Sequence, residues 1–173
     1  METKKARDLM IPLDSYPHVP YWFTLRQVTA VMEKAQYSDG PARPVGARFV
    51  LVFDKLYSLV GIVRRRDLIK GLMPESLLKT AGEDPGPPAD DSFEEEQSRA
   101  ENLVEQMHAQ AERPISEVLR PIHSTVDHTD TLLSVASKMV GQNVSMLPVL
   151  RDGVVIGVIR SAEVFDEIGS LIL

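Results

Sequence analysis

A chain of 173 residues, 43% of them hydrophobic and 25% charged, can form one folded domain or two small units with a shared core. It has no cysteine, which excludes disulfides, thiolate zinc sites and cysteine nucleophiles. The net charge of -6 argues against a general nucleic-acid binder, and no apolar run approaches the roughly 20 residues that cross a bilayer. We therefore expect neither nucleic-acid nor membrane partners. Because METKKARDLM is not followed by an apolar signal-peptide region, we also expect a cytoplasmic protein.

The first predicted helix lies at residues 24–36. Apolar residues recur at helical spacing from Leu25 to Met32, and Thr24 and Gln27 have the spacing of a capping box. Just before it, the aromatic triplet YWF can cover a cleft mouth or a dimer interface, although core packing or a hydrophobic staple at the helix start is the simpler interpretation.

Two strands and a second helix follow. The short β-branched runs RFVLVF and LVGIV predict adjacent strands joined by DKLYS. The segment RRRDLIKGLM places apolar residues on one helical face, so a helix is expected to begin near Arg65 and to end before Pro74.

The middle of the chain is acidic. Residues 82–112 contain ten acidic residues and one basic residue, Arg99. GEDPGPPADD reads as a loop, and a capping box at Ser92 and Glu95 predicts a helix of about five turns that Pro114 ends. Two interpretations stay open: the helix docks on the fold or on a partner, or it is a solvated linker.

The second half repeats the pattern of the first. TLRQVTAVM at 24–32 matches TLLSVASKM at 131–139, and LVGIVRRRDL at 59–68 matches VIGVIRSAEV at 155–164. SMLPVL and VVIGVI predict two strands joined by an Asp-Gly hairpin turn, and Ser161 is expected to cap the last helix. Each half is therefore a helix, two strands and a helix after an extended segment, and two such units are expected to pack as a pseudo-twofold pair.

These motifs together resemble a tandem pair of CBS domains, named after cystathionine β-synthase. The resemblance rests on DLMIP, HVPYWFTLRQVTAVM and LVGIVRRRDLIKGL in the first half and on EVLRP, STVDHTDTLLSVASKM and VSMLPVLRDGVVIGVIRSAEV in the second. It implies an α/β fold of the α+β type, with two CBS units that each have a small sheet flanked by helices. The expected division is a first CBS motif at 1–74, an acidic linker with a helix at 75–112 and a second CBS motif at 113–173.

The junction of strand and helix has its own chemistry. A strand that runs into a helix presents unpaired N–H groups and the positive end of the helix dipole, which suit a phosphate. An arginine beside it adds a planar set of donors for phosphate oxygens, and a carboxylate in the first turn can accept ribose hydroxyls. An acid in a first helical turn is also favoured in any protein, so a purely structural role for Asp67 stays open.

In the resembling family, two clefts between the units often hold adenine nucleotides. By resemblance, the candidate ligand-binding residues are those of the two junctions and of the cleft walls: Ile62, Arg64 and Asp67; Arg160 and Glu163; and His18, Val19, Thr125 and Val126. Two departures from the family pattern stand out. Arg64 and Arg160 replace a hydroxyl residue, and Glu163 replaces the usual aspartate.

The expected function is that of a stand-alone regulatory homodimer, not an enzyme. Its effector would be AMP, ADP, ATP or S-adenosylmethionine, and no metal site or catalytic residue is predicted because no histidine pair or nucleophile has a suitable setting. The alternative is a protein-interaction scaffold for an unidentified partner, with clefts that are empty or filled by the side chains of Arg64 and Arg160.

Overall fold

Two similar units, each with a small sheet, make up the chain in a computed structural model that describes residues 4–37, 45–79 and 93–173. In chain order the elements up to the end of the first unit are α1 (Ala6–Leu9), β1 (Ile11–Pro12), β2 (His18–Pro20), α2 (Leu25–Lys34), β3 (Gln36–Tyr37), β4 (Val45–Gly46), β5 (Phe49–Phe53), β6 (Leu59–Arg64) and α3 (Arg65–Leu72). The remaining elements are α4 (Glu75–Lys79), α5 (Phe93–Ala111), β7 (Val126–Asp127), α6 (Leu132–Gly141), β8 (Met146–Arg151), β9 (Val154–Arg160) and α7 (Ser161–Ile172).

The two sheets share one pattern of pairing. In the first, β2 runs parallel to β5, and β5 is antiparallel to β6; in the second, β7, β8 and β9 have the same arrangement. The matched residues across the three strands are Val19, Val52 and Gly61 in the first sheet and Val126, Val149 and Gly157 in the second. The common register confirms the repeat and the mixed α/β fold.

The segment that precedes each unit packs on the other unit. Strand β1 pairs antiparallel with β9 through Ile11 and Val158, and Arg120 forms the equivalent bridge with Ile62 of β6. We call residues 4–12 and 113–121 the crossing segments. The first crossing segment precedes the first unit but pairs with β9 of the second, and the second crossing segment precedes the second unit but pairs with β6 of the first. The crossing segments therefore tie the two units together.

The repeated glycine has a steric reason. A Cβ atom on Gly61 would lie 2.5 Å from the carbonyl oxygen of Arg120, and one on Gly157 would lie 2.4 Å from that of Ile11. A heavy side chain is excluded at both positions because the crossing segment approaches the strand so closely. The glycine in the shared sequence motif therefore marks the place where the units interlock.

The core has three clusters. One lies within the first unit and includes Ile115 of a crossing segment, and one lies within the second unit and includes Ala6 of the other. The third lies between the two sheets and consists of Leu13, Tyr16, Leu51, Phe53, Met146 and Val158. Burial of the two sheet faces against each other is what makes two small units stable as a pair.

The predicted elements agree with the structure with two corrections. The helix predicted over 24–36 ends at Lys34, because Ala35 has extended backbone and Gln36 belongs to β3. Helix α2 begins after Thr24 with the predicted capping box, and the hairpin between β8 and β9 has positive φ at Asp152 (50°) and Gly153 (78°). The expected cap at Ser161 was wrong: Arg160 is the N-cap of α7, because Glu163 accepts its backbone N–H, and Ser161 is the first helical residue.

Helix α5 packs against α2 and α3 of the first unit. An ion pair between Arg26 and Glu112 joins the end of this acidic segment to α2. The acidic helix is thus docked on the fold, although most of its side chains face solvent. The predicted capping residue Ser92 lies outside the described residues. Within the described part of the chain, no helix is long and apolar enough to cross a bilayer.

Candidate functional site

The junction of β6 and α3 is a corner in which Arg64 and Asp67 bind each other. Arg64 is the N-cap, and its backbone N–H donates to Asp67 Oδ2 at 3.1 Å. Its guanidinium donates through Nε to Oδ2 at 2.9 Å and through Nη2 to Oδ1 at 3.0 Å. Asp67 is 6% exposed, so a nearly buried carboxylate is held in a bidentate ion pair within its own helix start.

A second arginine reaches Asp67 from the crossing segment. Arg120 Nε donates to Asp67 Oδ1 at 2.8 Å, 53 residues away in sequence. Burial by itself would raise the pKa of the Asp67 carboxyl, but the hydrogen bonds from Arg64 and Arg120 outweigh it and lower the pKa to about 2. The carboxylate is therefore ionised at neutral pH, and it links the helix start to the crossing segment.

The corner between β9 and α7 is similar but simpler. Glu163 accepts the backbone N–H of Arg160 at 2.9 Å and its Nε at 2.9 Å. The side chains of Arg160 and Glu163 are 14% and 20% exposed, so the pair is largely covered. The buried Tyr16 lies near both charged side chains. Burial raises the pKa of its phenol, the positive charge of Arg160 opposes this rise, and the negative charge of Glu163 adds to it.

A cavity of about 410 Å³ opens between the two sheets beside Ile62. We call it the Ile62 cleft. Ile62 and Arg64 lie two residues apart on β6 and so on the same face of the sheet, but Ile62 lines the cleft and Arg64 does not. The cleft is lined by apolar residues from both units with a few polar groups: Ile62, Pro121, Ile122, His123, Ser124, Gln142, Val144, Met146, Leu147 and Pro148.

A second cavity, of about 400 Å³, lies on the other side of the crossing segment. Its walls include Asp67 and the cationic side chains of Lys70, Arg113 and Arg120. Arg113 is paired with Glu117 in the same wall. The bridge between Ile62 and Arg120 separates this cavity from the Ile62 cleft, since Arg120 lines this cavity and Ile62 lines the cleft.

The other candidate residues occupy different surroundings. Val19 and Val126 are buried in the cores of the two units, and the Thr125 carbonyl accepts a hydrogen bond from Lys138 at 2.6 Å. The carbonyl of Tyr16 is 2.9 Å from His18 Nδ1 and can only accept, so Nδ1 carries the proton. Their contact with a ligand stays a prediction, as it does for the residues of both corners.

Arg120 and His123 are site residues that the sequence analysis did not single out. Arg120 lies in the motif EVLRP and is the repeat counterpart of Ile11 in DLMIP. A charged residue at a position that is apolar in the first half was the signal in the sequence that could have identified Arg120 as a site residue. Arg65 and Arg66 are exposed, as expected for a solvated helix start. Among the described residues, no three His, Asp or Glu side chains are grouped as metal ligands.

Residues 114–170 match the CBS domain family model. The CBS domain of a CBS-domain-containing membrane protein from Sphaerobacter thermophilus is 22% identical, with a TM-score of 0.67 over 95% of this chain and 87% of that one. CBSX2 in complex with AMP is 16% identical, with a TM-score of 0.61 over 96% of this chain and 97% of that one.

The cytosolic domain of the Mg²⁺ channel MgtE in complex with ATP is 20% identical, with a TM-score of 0.60. The match covers 96% of this chain and 49% of the MgtE chain. No curated protein matches the sequence. At these identities the solved structures establish a common fold.

Proposed function

We propose that this chain, whose residues 114–170 are a CBS domain and whose fold is that of a CBS pair, is a regulatory module without catalytic activity. It binds an adenine nucleotide or a related adenosyl ligand in the Ile62 cleft, with AMP, ADP, ATP and S-adenosylmethionine as the candidate effectors. AMP in CBSX2 and ATP in the MgtE domain support this class of ligand. The observation that carries the proposal is the open cleft of about 410 Å³ lined by Ile62, which lies two residues before Arg64 on β6.

The walls of the Ile62 cleft suit a purine. Small-molecule sites typically measure about 300 to 1,000 Å³ and are lined mainly by apolar groups with a few polar ones. Ile62, Ile122 and Leu147 supply apolar surface for the faces of the base, and His123 and Ser124 supply polar atoms for its edge. The cleft is large enough for the base, and the sugar and phosphate extend toward Arg64.

The corner supplies the groups for sugar and phosphate. The side chain of Arg64 is 35% exposed and that of Arg120 is 55% exposed, so both guanidinium groups remain accessible although they are paired. A phosphate that approaches the start of α3 competes with Asp67 for the Arg64 guanidinium. Asp67 lines the neighbouring cavity, beyond the bridge between Ile62 and Arg120, so it accepts ribose hydroxyls only when Arg64 turns to the phosphate and that bridge opens.

Calorimetry and thermal shift with AMP, ADP, ATP and S-adenosylmethionine test this proposal. We expect wild type to bind at least one of them and Asp67→Asn to lose that binding; at a hundred times the dissociation constant, the ligand stabilises wild type by about 2.7 kcal/mol. Asp8→Asn is the matched control, because Asp8 accepts the N-cap N–H of α1 at 2.9 Å in the same way but lies outside the cleft. If wild type binds none of the four, the proposal is wrong.

We further propose that the chain forms a homodimer through the face of α6 and α7. Val140 and Phe165 on this face are 83% and 74% exposed, whereas the matched position of Val140 in the first unit is the charged Glu33. Large exposed apolar side chains on two adjacent helices favour burial against a second copy. Light scattering should give a dimer for wild type and a monomer for Phe165→Glu; Val154→Glu, at the exposed hairpin, is the control that should stay dimeric.

A protein-interaction scaffold is the second candidate. It is favoured by the pairing of Arg64 with Asp67 and of Arg160 with Glu163, which leaves both corners occupied by the protein's own side chains. The acidic helix α5 would then carry the partner site. A partner whose capture requires α5 and is unaffected by nucleotide would support this candidate. The cytoplasmic location stays a prediction of the sequence.

A further inference from the structure

The two clefts of the pair are not equivalent. Val158 is the counterpart of Ile62, because each follows the matched glycine of its strand and each pairs with a crossing segment. Ile62 is partly exposed and lines an open cavity, but Val158 is 0% exposed and belongs to the cluster between the sheets. The space that is open beside Ile62 is therefore packed beside Val158.

Tyr16 and Leu13 occupy that space. Both belong to the same cluster as Val158, and Tyr16 is 3% exposed. Counting back from the matched valines Val19 and Val126, the counterpart of Tyr16 is His123, which is exposed and lines the open cleft. A large buried phenol thus stands on one side where an exposed imidazole stands on the other.

Two extra residues explain the difference. Six residues separate Pro12 from Val19, whereas four separate Pro121 from Val126. The longer segment forms a 3-10 turn over Leu13–Ser15, closed by the Tyr16 N–H that donates to the Leu13 carbonyl at 3.0 Å. Residues 121–125 have no such turn and run as irregular chain. The turn shifts Tyr16 inward, between the sheets.

Polar contacts fix Tyr16 in that position. His18 Nδ1–H donates to its carbonyl at 2.9 Å, and the other nitrogen of His18, Nε2, accepts from the Tyr57 hydroxyl at 3.1 Å. The side chain is also close to Arg160 and Glu163, which bind each other. The second corner is thus paired within itself, and its arginine and carboxylate are 14% and 20% exposed.

We infer that Tyr16 closes the second cleft and that the chain binds one nucleotide, in the Ile62 cleft, and not two. The part about nucleotide rests on the proposed function. The closure itself rests on the packing of Tyr16, so the two parts have separate tests.

Closure is tested without a ligand by nitration with tetranitromethane, read by peptide mass spectrometry at limited modification. Tyr57, which is 61% exposed, is the internal control. We expect nitration of Tyr57 at least tenfold faster than that of Tyr16 in the folded chain and equal rates in urea. Equal rates in the folded chain would show that the second cleft opens, and would overturn the inference.

Stoichiometry is tested by calorimetry with AMP and ATP. We expect one molecule per chain for wild type, the same value and affinity for Glu163→Gln, and complete loss for Ile62→Trp, which fills the open cleft. Two molecules per chain, or residual binding in Ile62→Trp that Glu163→Gln removes, would overturn the inference. If wild type binds neither of them, nor ADP nor S-adenosylmethionine, the proposed function fails alone, and nitration still decides whether Tyr16 closes its cleft.

Discussion

The ion pairs of Asp67 should make the stability of this protein depend on pH in a way that one substitution removes. Asp67→Asn keeps the size of the side chain but takes away the charge that Arg64 and Arg120 bind. The carboxylate is 7% exposed, so its loss is not compensated by water. We expect the variant to fold, because the apolar cores are untouched, and to be less stable than wild type at neutral pH.

The magnitude follows from the depressed pKa. A carboxyl whose pKa falls from 3.8 to about 2 on folding stabilises the folded state by about 2.4 kcal/mol once it is ionised in both states. Because the side chains of Arg64 and Arg120 are 35% and 55% exposed and therefore screened by solvent, about 2 kcal/mol is the expected difference. The stabilisation is complete above pH 5, falls to about half near pH 3 and disappears below pH 2.

Urea unfolding of wild type and Asp67→Asn at pH 6, 5, 4 and 3 measures this difference. Other carboxyls titrate in both proteins, so the difference between their free energies of unfolding isolates Asp67. Asp8→Asn serves as the control, since Asp8 also caps a helix but is 46% exposed and pairs with its sequence neighbours Lys5 and Arg7. A wild-type advantage that is the same at pH 6 and pH 3 would refute the reasoning.

Four further substitutions test the close approach of the two units, the cap of α2 and the docking of α5. Gly61→Ala should cost about 1 to 3 kcal/mol in urea unfolding because its Cβ would meet the Arg120 carbonyl at 2.5 Å, whereas Gly169→Ala, with nothing within 4 Å, should be neutral or stabilise α7 by up to about 1 kcal/mol. Thr24→Ala should cost about 1 kcal/mol through loss of its hydrogen bond to the Gln27 N–H; no change would remove the cap from the account. Arg26→Ala should change stability by at most about 0.5 kcal/mol, since its ion pair to α5 is exposed, and a larger loss in thermal unfolding would show that α5 is held mainly by this pair.

Most of the fold could be predicted from the sequence because its signals are local or repeated. The capping box of α2 and the Asp-Gly turn of the second hairpin are short-range patterns, and the structure has both. The repeat then supplied each of the other patterns twice, once in each half of the sequence. The helices of the two units begin at matched positions because the same residue types recur at Thr24 and Thr131.

The crossing segments were beyond a local interpretation. Pairing of Ile11 with Val158 joins residues that are far apart in sequence, and no short-range pattern encodes such a contact. The repeated glycine was a signal of close backbone approach, but its partner, the carbonyl of Arg120 in the first unit, is visible only in three dimensions. For the same reason the sequence analysis missed Arg120 as a partner of Asp67.

The residues of the two corners could be predicted from the sequence, but the difference between the two clefts could not. Arg64 replaces the hydroxyl residue of the resembling family, and two alternatives were open: a grip on phosphate or a contact within the protein. In the structure Arg64 binds Asp67, so a phosphate must compete for it. The buried position of Tyr16 depends on a two-residue difference in loop length, which changes the packing between sheets without changing any motif.

A crystal structure grown with AMP or ATP at millimolar concentration is the decisive measurement of nucleotide binding and of closure by Tyr16. We expect one nucleotide per chain, with its base between Ile62 and the segment at 121–124, its phosphate on Arg64, and Tyr16 unmoved. Density for a nucleotide beside Tyr16 and Arg160, or an empty Ile62 cleft at that concentration, would contradict it.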